Sequence, residues 1–205
     1  MTKVYITSIP LQGRSELEKY CYKPQNIYGI TCEKPTSFPI IPVMHDTAST
    51  EDEVLVFTIN MLNEDTNVNR VKFEQELEEL GFEKTVVRDI TVKENQKDEN
   101  LAYLYKNLVR EIPDNSEVYA CITYGTKTIP IMLISALRYA DKFKENVEVK
   151  GIYYGEINRD NNVVTDAKLN DVSAVYFIDR IIDKIAQGDN ADADRMLDTL
   201  LPEKE

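Results

Sequence analysis

A run of hydroxyl, glycine and lysine residues stands where the sequence pattern changes from a buried strand to a helix. It reads Cys-Ile-Thr-Tyr-Gly-Thr-Lys-Thr-Ile-Pro over residues 121–130. Gly125 permits a tight turn, and Pro130 suits a first helical turn because the N–H that proline lacks is not needed there. Lys127 and the N-terminal amides of the helix both favour an anion. The run therefore indicates a phosphate-binding turn, although its spacing is not that of a P-loop.

The candidate ligand contacts in this turn are Thr123, Tyr124, Gly125, Thr126, Lys127 and Thr128. The same residues also fit an ordinary capped turn between a strand and a helix, with a lysine on the surface. For an isolated Gly-Thr-Lys sequence, the ordinary turn is the better interpretation. The functional interpretation therefore depends on a second segment that points to the same place.

That second segment follows the first predicted strand, which ends in Thr7 and Ser8. Hydroxyl groups followed by a glycine and an arginine suit contacts with phosphate or ribose. The candidate contacts here are Thr7, Ser8, Gln12, Gly13 and Arg14. An ordinary loop with an exposed arginine explains this segment equally well when it is taken alone.

Five short runs rich in Val, Ile, Thr and Tyr predict strands at residues 4–9, 54–59, 85–92, 118–123 and 147–154. Apolar residues at helical spacing lie between them, in helices that end before Gly81 and Pro113 and over residues 130–143. This alternation predicts an α/β fold with a Rossmann-like, doubly wound, mainly parallel sheet and flanking helices. Ligands bind such sheets beyond the carboxyl ends of the strands, where both polar segments stand.

Two segments interrupt the alternation. Residues 12–44 contain four prolines and predict a hairpin or irregular excursion that covers one end of the sheet. After Thr165, apolar residues at helical spacing predict one helix that ends near Gly188 and a shorter second helix. We therefore assign residues 1–165 to the α/β domain and residues 166–205 to a C-terminal helical extension. The apolar stripe of its first helix must be covered by the domain, by a second subunit through dimerisation, or by an effector.

The composition limits the partners of the chain. Thirty-six acidic residues against 24 basic ones give a formal charge of −12, which opposes binding to DNA or to an anionic membrane. The longest mostly apolar stretch, residues 129–140, is far shorter than the roughly 20 residues that cross a bilayer. Three cysteines without metal-ligand spacing and the lack of a signal-peptide pattern predict a cytoplasmic protein. A lone histidine, His45, rarely makes a metal site, so no metal is expected.

Together the two polar segments resemble the CARF superfamily of CRISPR-associated proteins. One branch has a signature of ten positions: Asp; a hydrophobic residue; Thr; His or Tyr; Gly; an aromatic residue or Thr; Arg or Lys; Ser or Thr; a hydrophobic residue; and Pro. Residues 121–130 match it except at Cys121, where an acidic residue is usual. The likeness extends to the Thr-Ser and Gly-Arg pairs of the first segment, Thr36 and Phe38, Tyr153-Tyr154-Gly155 at the end of the fifth strand, and a closing segment over residues 171–201.

The resemblance implies a homodimer that surrounds a ring of 3′,5′-linked adenylates, which type III CRISPR complexes make when they bind foreign RNA. The expected ligand is thus cyclic tetra-adenylate or cyclic hexa-adenylate, with no further cofactor. Lys127 and Arg14 would contact phosphates, and Tyr124 would stack on adenine. The hydroxyls that would bond to phosphate or ribose oxygens are those of Ser8, Thr126 and Thr128.

Other functions stay open on this sequence. No effector site is found, since His45 lacks the R-x-x-x-x-H pattern of a HEPN ribonuclease. The chain is then either the sensor part of a longer protein or a stand-alone domain. A stand-alone domain could be a metal-free ring nuclease in which Ser8 and Lys127 stabilise charge. A dinucleotide-binding Rossmann protein is disfavoured because one glycine, Gly13, stands where G-x-G-x-x-G would be. A purely structural interaction domain is the third alternative.

Overall fold

The structure is a computed structural model that describes residues 1–11, 17–25, 27–32, 34–49, 51–61, 64–82, 85–93, 97–161, 163–187 and 193–200. Three of the predicted ligand contacts, Gln12, Gly13 and Arg14, lie outside these residues. The chain divides into two compact units, Met1–Asp171 and Val172–Glu205. The first unit contains the sheet, and the second contains the C-terminal helices.

The described strands form one seven-stranded sheet in the order β2-β7-β6-β5-β1-β3-β4. Their bounds are Thr2–Ser8 (β1), Lys23–Gln25 (β2), Val54–Met61 (β3), Val86–Val92 (β4), Ser116–Cys121 (β5), Val147–Asp160 (β6) and Val163–Asp171 (β7). Neighbouring strands from β6 to β4 in this order pair in parallel, whereas β7 is antiparallel to β6. All five predicted strands are present, and the predicted fold class is confirmed.

Helices cover both faces of this sheet. They are α1 (Ile40–Thr47), α2 (Glu64–Glu78), α3 (Asp98–Glu111) and α4 (Thr128–Phe143). On one face, α1 and α2 form a buried cluster with Tyr5, Val56 and Tyr119. The alternate strand residues, such as Ile6 and Ala120, are also fully buried. Because α3 and α4 pack together and contact β4 and β6 respectively, they cover this second face.

The helix boundaries follow the predicted start and stop signals. Helix α2 ends in a turn where Gly81 has φ of +83°, a backbone conformation that glycine tolerates best. The Gly81 N–H donates to the Glu78 carbonyl at 2.9 Å, and the Phe82 N–H donates to the Leu77 carbonyl at 3.0 Å. These two bonds close the helix in a Schellman motif. Helix α3 ends before Pro113, and Pro130 lies in the first turn of α4, as predicted.

Two predictions need correction. The excursion over residues 12–44 does contain an antiparallel bridge, between Tyr20 and Thr36, but its end belongs to α1. Pro42 is compatible with this helix because it lies in the first turn.

The fifth predicted strand continues beyond Gly155 to Asp160 and returns as β7. The boundary that we placed after residue 165 therefore falls inside β7, and the first unit ends at Asp171 instead. The signal for β7 is the alternation of buried Ala167 and Leu169 with more exposed neighbours, a period typical of a half-buried strand.

The second unit contains both helices predicted for it, α5 (Ala174–Ala186) and α6 (Ala193–Leu200). The predicted apolar stripe of α5 is substantially exposed, with Val175, Ile178 and Ile182 at 53%, 38% and 51%. Within the part of the chain that the structure describes, no helix has both the length and the hydrophobicity needed to span a bilayer.

Candidate ligand-binding site

The two polar segments follow the strands at the centre of the sheet. Strand β1 pairs with β3 on one side and β5 on the other, so the chain connections diverge between β1 and β5. In open α/β sheets this divergence leaves a crevice beyond the carboxyl ends of the strands, where ligands bind. We call residues 9–11, which the structure describes directly after β1, the β1 loop, and we call residues 123–128 the β5 loop.

Gly125 brings the β5 loop against the end of β1. Its φ is +97°, and a Cβ atom placed there would lie 3.2 Å from Ser8 Oγ and 2.9 Å from Ile129 Cδ1. A side chain at this position would therefore be both strained and crowded. Ser8 itself is only 1% exposed, so its hydroxyl lies beneath the turn.

The beginning of the β5 loop uses its polar atoms within the protein. Thr7 is buried and stands opposite Cys121 in the β1–β5 register. The Thr123 hydroxyl accepts a hydrogen bond of 2.7 Å from the Gly155 N–H, and it lies 3.1 Å from Cys121 Sγ. Thr123 thus joins the end of β5 to β6. Burial raises the pKa of the Cys121 thiol, so this position carries no charge in place of the usual carboxylate.

Gly155 has its own steric reason to be glycine. A Cβ there would approach Pro39 Cγ to 2.3 Å and Tyr22 Cε1 to 3.0 Å. The segment before α1 therefore packs directly on the backbone of β6. This contact accounts for the glycine in the Tyr153-Tyr154-Gly155 sequence.

Tyr124 is also held by the protein. Its hydroxyl donates to the Ser37 carbonyl at 2.7 Å, and its ring meets Phe38 edge to face, with centroids 6.5 Å apart. Burial raises the pKa of Tyr124 well above its usual value, so the hydroxyl remains a donor at all physiological pH values. Stacking of Tyr124 on adenine stays a prediction.

The end of β3, at the same edge of the sheet, carries a largely buried polar network. Arg70 Nε, on α2, donates to Thr58 Oγ1 at 3.1 Å and to Asp89 Oδ1 at 2.6 Å. Asn60 Nδ2 donates to the same Asp89 oxygen at 2.7 Å. These bonds fix α2 to β3 and β4, so we assign this strand end to the fold.

The second half of the β5 loop is more open. Lys127 is exposed, and the Thr126 and Thr128 hydroxyls lie 3.3 Å apart. Helix α4 begins here, with a 3.0 Å hydrogen bond from the Ile129 N–H to the Thr126 carbonyl. Thr126 and Thr128 line a small cleft that also includes Lys93 and Asn100. Its volume is about 10 Å³, which is about the space of one water molecule.

Lys93 and Asn100 are candidate site residues that the sequence pattern did not identify. Lys93 is exposed and directly follows β4, at the carboxyl edge of the sheet. The strand-end rule that selected the other loops would also have selected this position. Asn100 lies in the first turn of α3, and no local pattern places it near Thr126.

No protein-family model matches the chain. A stretch of 55 residues is 38% identical to the CRISPR-associated protein MJ1674 of Methanocaldococcus jannaschii. This stretch makes up 27% of the chain and 8% of the length of that relative.

The chemistry available at this edge is that of anion binding. The described residues that line the cleft include Lys93 but no Asp or Glu, although the whole chain carries a formal charge of −12. The positive end of the α4 dipole lies at the same place as Lys127. Among the described residues, no cluster of His, Cys, Asp or Glu has the arrangement of a metal site.

Proposed function

We propose that this chain is a sensor of cyclic oligoadenylate in a type III CRISPR system, and that it binds cyclic tetra-adenylate or cyclic hexa-adenylate across a homodimer interface. The observation that carries the proposal is the contact of Gly125 with Ser8, which places the β5 loop against the end of β1. The similarity to a CRISPR-associated protein supports an association of this chain with CRISPR systems.

The local chemistry supports a phosphate ligand. Lys127 is exposed at the positive end of α4, and the exposed Lys93 lines the cleft together with Thr126 and Thr128. Each of these groups can donate hydrogen bonds to phosphate oxygens. A ring of phosphates would therefore find several donors along one edge of the sheet.

The cleft is too small to hold the ligand by itself, so the proposal requires a second copy of the chain. A volume of about 10 Å³ cannot enclose a nucleotide, because ligand pockets typically measure about 300 to 1,000 Å³. A ring would thus lie over the mouth of the cleft, and a second copy of the chain would supply the opposite wall. A twofold interface suits a ring with even symmetry.

Calorimetric titration tests the proposal. The purified chain is titrated with cyclic tetra-adenylate, cyclic hexa-adenylate, linear oligoadenylates, NAD and ATP. We expect tight binding of one ring per dimer and a strong preference over the linear molecules. Absence of ring binding below high micromolar concentration would refute the sensor function, and tight binding of NAD or ATP instead would favour an unrelated nucleotide-binding protein.

Any cleavage of the ring is secondary in this proposal, because the hydroxyl of Ser8 is 1% exposed beneath Gly125. A sensor also needs a ligand that persists long enough to shift a conformational equilibrium. Excess protein is incubated with radiolabelled rings, and linear products are followed with time. We expect the ring to survive for hours. Conversion within about a minute that Ser8→Ala or Lys127→Ala abolishes would replace the sensor function with a ring nuclease.

A further inference from the structure

Ser37 forms hydrogen bonds with three different segments of the chain. Its carbonyl accepts the 2.7 Å hydrogen bond from Tyr124 in the β5 loop. Its hydroxyl donates to the carbonyl of Leu17 at 3.3 Å. Its N–H donates to the Glu76 carboxylate at 3.1 Å. Because Ser37 is 1% exposed, water competes little for these bonds.

Helix α2 provides the fixed support for this arrangement. The Glu76 side chain is 4% exposed and also accepts a hydrogen bond from the Thr36 hydroxyl. One turn earlier on the same helix, Lys72 Nζ donates to the Leu17 carbonyl at 2.9 Å. Leu17 is therefore connected to α2 twice, directly by Lys72 and through Ser37 by Glu76. The β5 loop is connected to the same helix through Tyr124 and Ser37.

We propose that Tyr124, Ser37 and Glu76 are positioning residues, which fix the β5 loop relative to Leu17 and α2 and thereby hold this loop in the position in which it binds the ligand. The ligand in this inference rests on the proposed function, whereas the connection itself is a property of the free protein. Tyr124 then acts through its hydroxyl as well as through its ring.

The tyrosine hydroxyl separates positioning from simple stacking. Tyr124→Phe keeps an aromatic ring and removes only the hydroxyl, which bonds to Ser37 and also lies close to Tyr22, so a residue that merely stacked on adenine would bind the ligand as before. If Tyr124 is a positioning residue, the preferred ring should bind on the order of five- to tenfold more weakly. The preference for that ring over the other ring size should also fall, because a less rigid β5 loop discriminates less well between the two rings.

Glu76→Gln tests the other end of the connection. Glu76 does not contact the β5 loop directly, but its effect on the affinity should resemble that of Tyr124→Phe. The two effects should not add in the double variant, since both act through Ser37. Tyr139→Phe, which removes an exposed hydroxyl from α4, is the matched control and should leave the affinity unchanged. Strictly additive losses, or wild-type affinity and preference in Tyr124→Phe, would overturn the proposal.

Amide hydrogen exchange of the ligand-free chain gives an independent measurement. Amides over residues 122–129 should exchange at least several-fold faster in Tyr124→Phe and in Glu76→Gln than in the wild type or in Tyr139→Phe, while amides of β3 stay protected. If the wild type binds neither ring, the proposed function fails and the exchange result still decides the connection. Unchanged exchange over residues 122–129 in both variants would refute the connection between Tyr124, Ser37 and Glu76.

Discussion

The two halves of the β5 loop contain similar residues that are used in opposite ways. In the first half, the hydroxyls of Thr123 and Tyr124 bond to backbone groups of Gly155 and Ser37. In the second half, Thr126 lines the cleft and Lys127 is exposed. A hydroxyl in this motif therefore either holds the loop in place or faces the ligand region, and the sequence pattern alone does not separate the two uses.

Among the variants that test this difference between the two halves, Lys127→Ala should have the largest effect on ligand affinity. Loss of a charge-assisted phosphate contact costs roughly 1.5 to 3 kcal/mol per site, and a dimer presents the site twice. Binding of the preferred ring should weaken by roughly a hundredfold or more, whereas the thermal midpoint should stay within about a degree because Lys127 is exposed. Lys106→Ala, at an exposed position on α3, is the control in the same titration. An unchanged dissociation constant would make Lys127 an ordinary surface residue.

The next largest effect concerns the stability of the turn between the two halves. Gly125→Ala adds a positive-φ cost of about 1 to 2 kcal/mol and a packing cost of about 1 to 3 kcal/mol against Ile129 and Ser8. Gly81→Ala is the matched control, since its φ of +83° is similar but no atom lies within 4 Å of the added Cβ. Urea denaturation should show a clearly larger loss for Gly125→Ala. Equal losses would mean that the contact with Ser8 has no energetic role.

A smaller effect is expected in the first half of the loop. Thr123→Val removes the acceptor of the buried Gly155 N–H, and an unsatisfied buried donor costs about 1 to 3 kcal/mol. The free energy of unfolding should fall by that amount in urea denaturation. If it does not change, water or another group satisfies Gly155 and the anchoring role of Thr123 is wrong.

The smallest effect on stability is expected from Thr126→Val in the second half. Its hydroxyl lies 3.3 Å from that of Thr128, in a partly exposed part of the loop where water can replace this contact. The free energy of unfolding should therefore change by less than about 0.5 kcal/mol. Ring binding should nevertheless weaken. A loss of stability as large as that of Thr123→Val would erase the distinction between the two halves of the loop.

The sequence predicted those parts of the fold that follow local periodicity. The five parallel strands and helices α2 to α4 have apolar residues at clear spacing with recognisable ends, such as Gly81 and Pro113. Strand β7 was missed because only Ala167 and Leu169 are buried in it. Helix α1 was missed because the four prolines of residues 12–44 favoured a hairpin or irregular excursion.

The candidate site residues were predicted only where they follow strand ends. Thr7, Ser8 and residues 123–128 were selected by that rule, whereas Ser37 is connected to Tyr124 by a contact between distant parts of the chain. The position of Glu76 was a signal in the sequence, because this acidic residue lies on the apolar stripe of α2 between Phe73 and Leu77. A carboxylate on a buried stripe requires partners, but the sequence does not name them.

The position of β1 at the centre of the sheet has a consequence for the order of folding. Thr2 pairs with Ser116 and Lys3 pairs with Val54, so the second neighbour of β1 lies more than 100 residues further along the chain. Pairings of such long sequence separation form slowly, because the intervening chain must first be brought together. Until β5 has paired with β1, Gly125 cannot lie against Ser8. We therefore expect the ligand site to be among the last parts of the first unit to assemble.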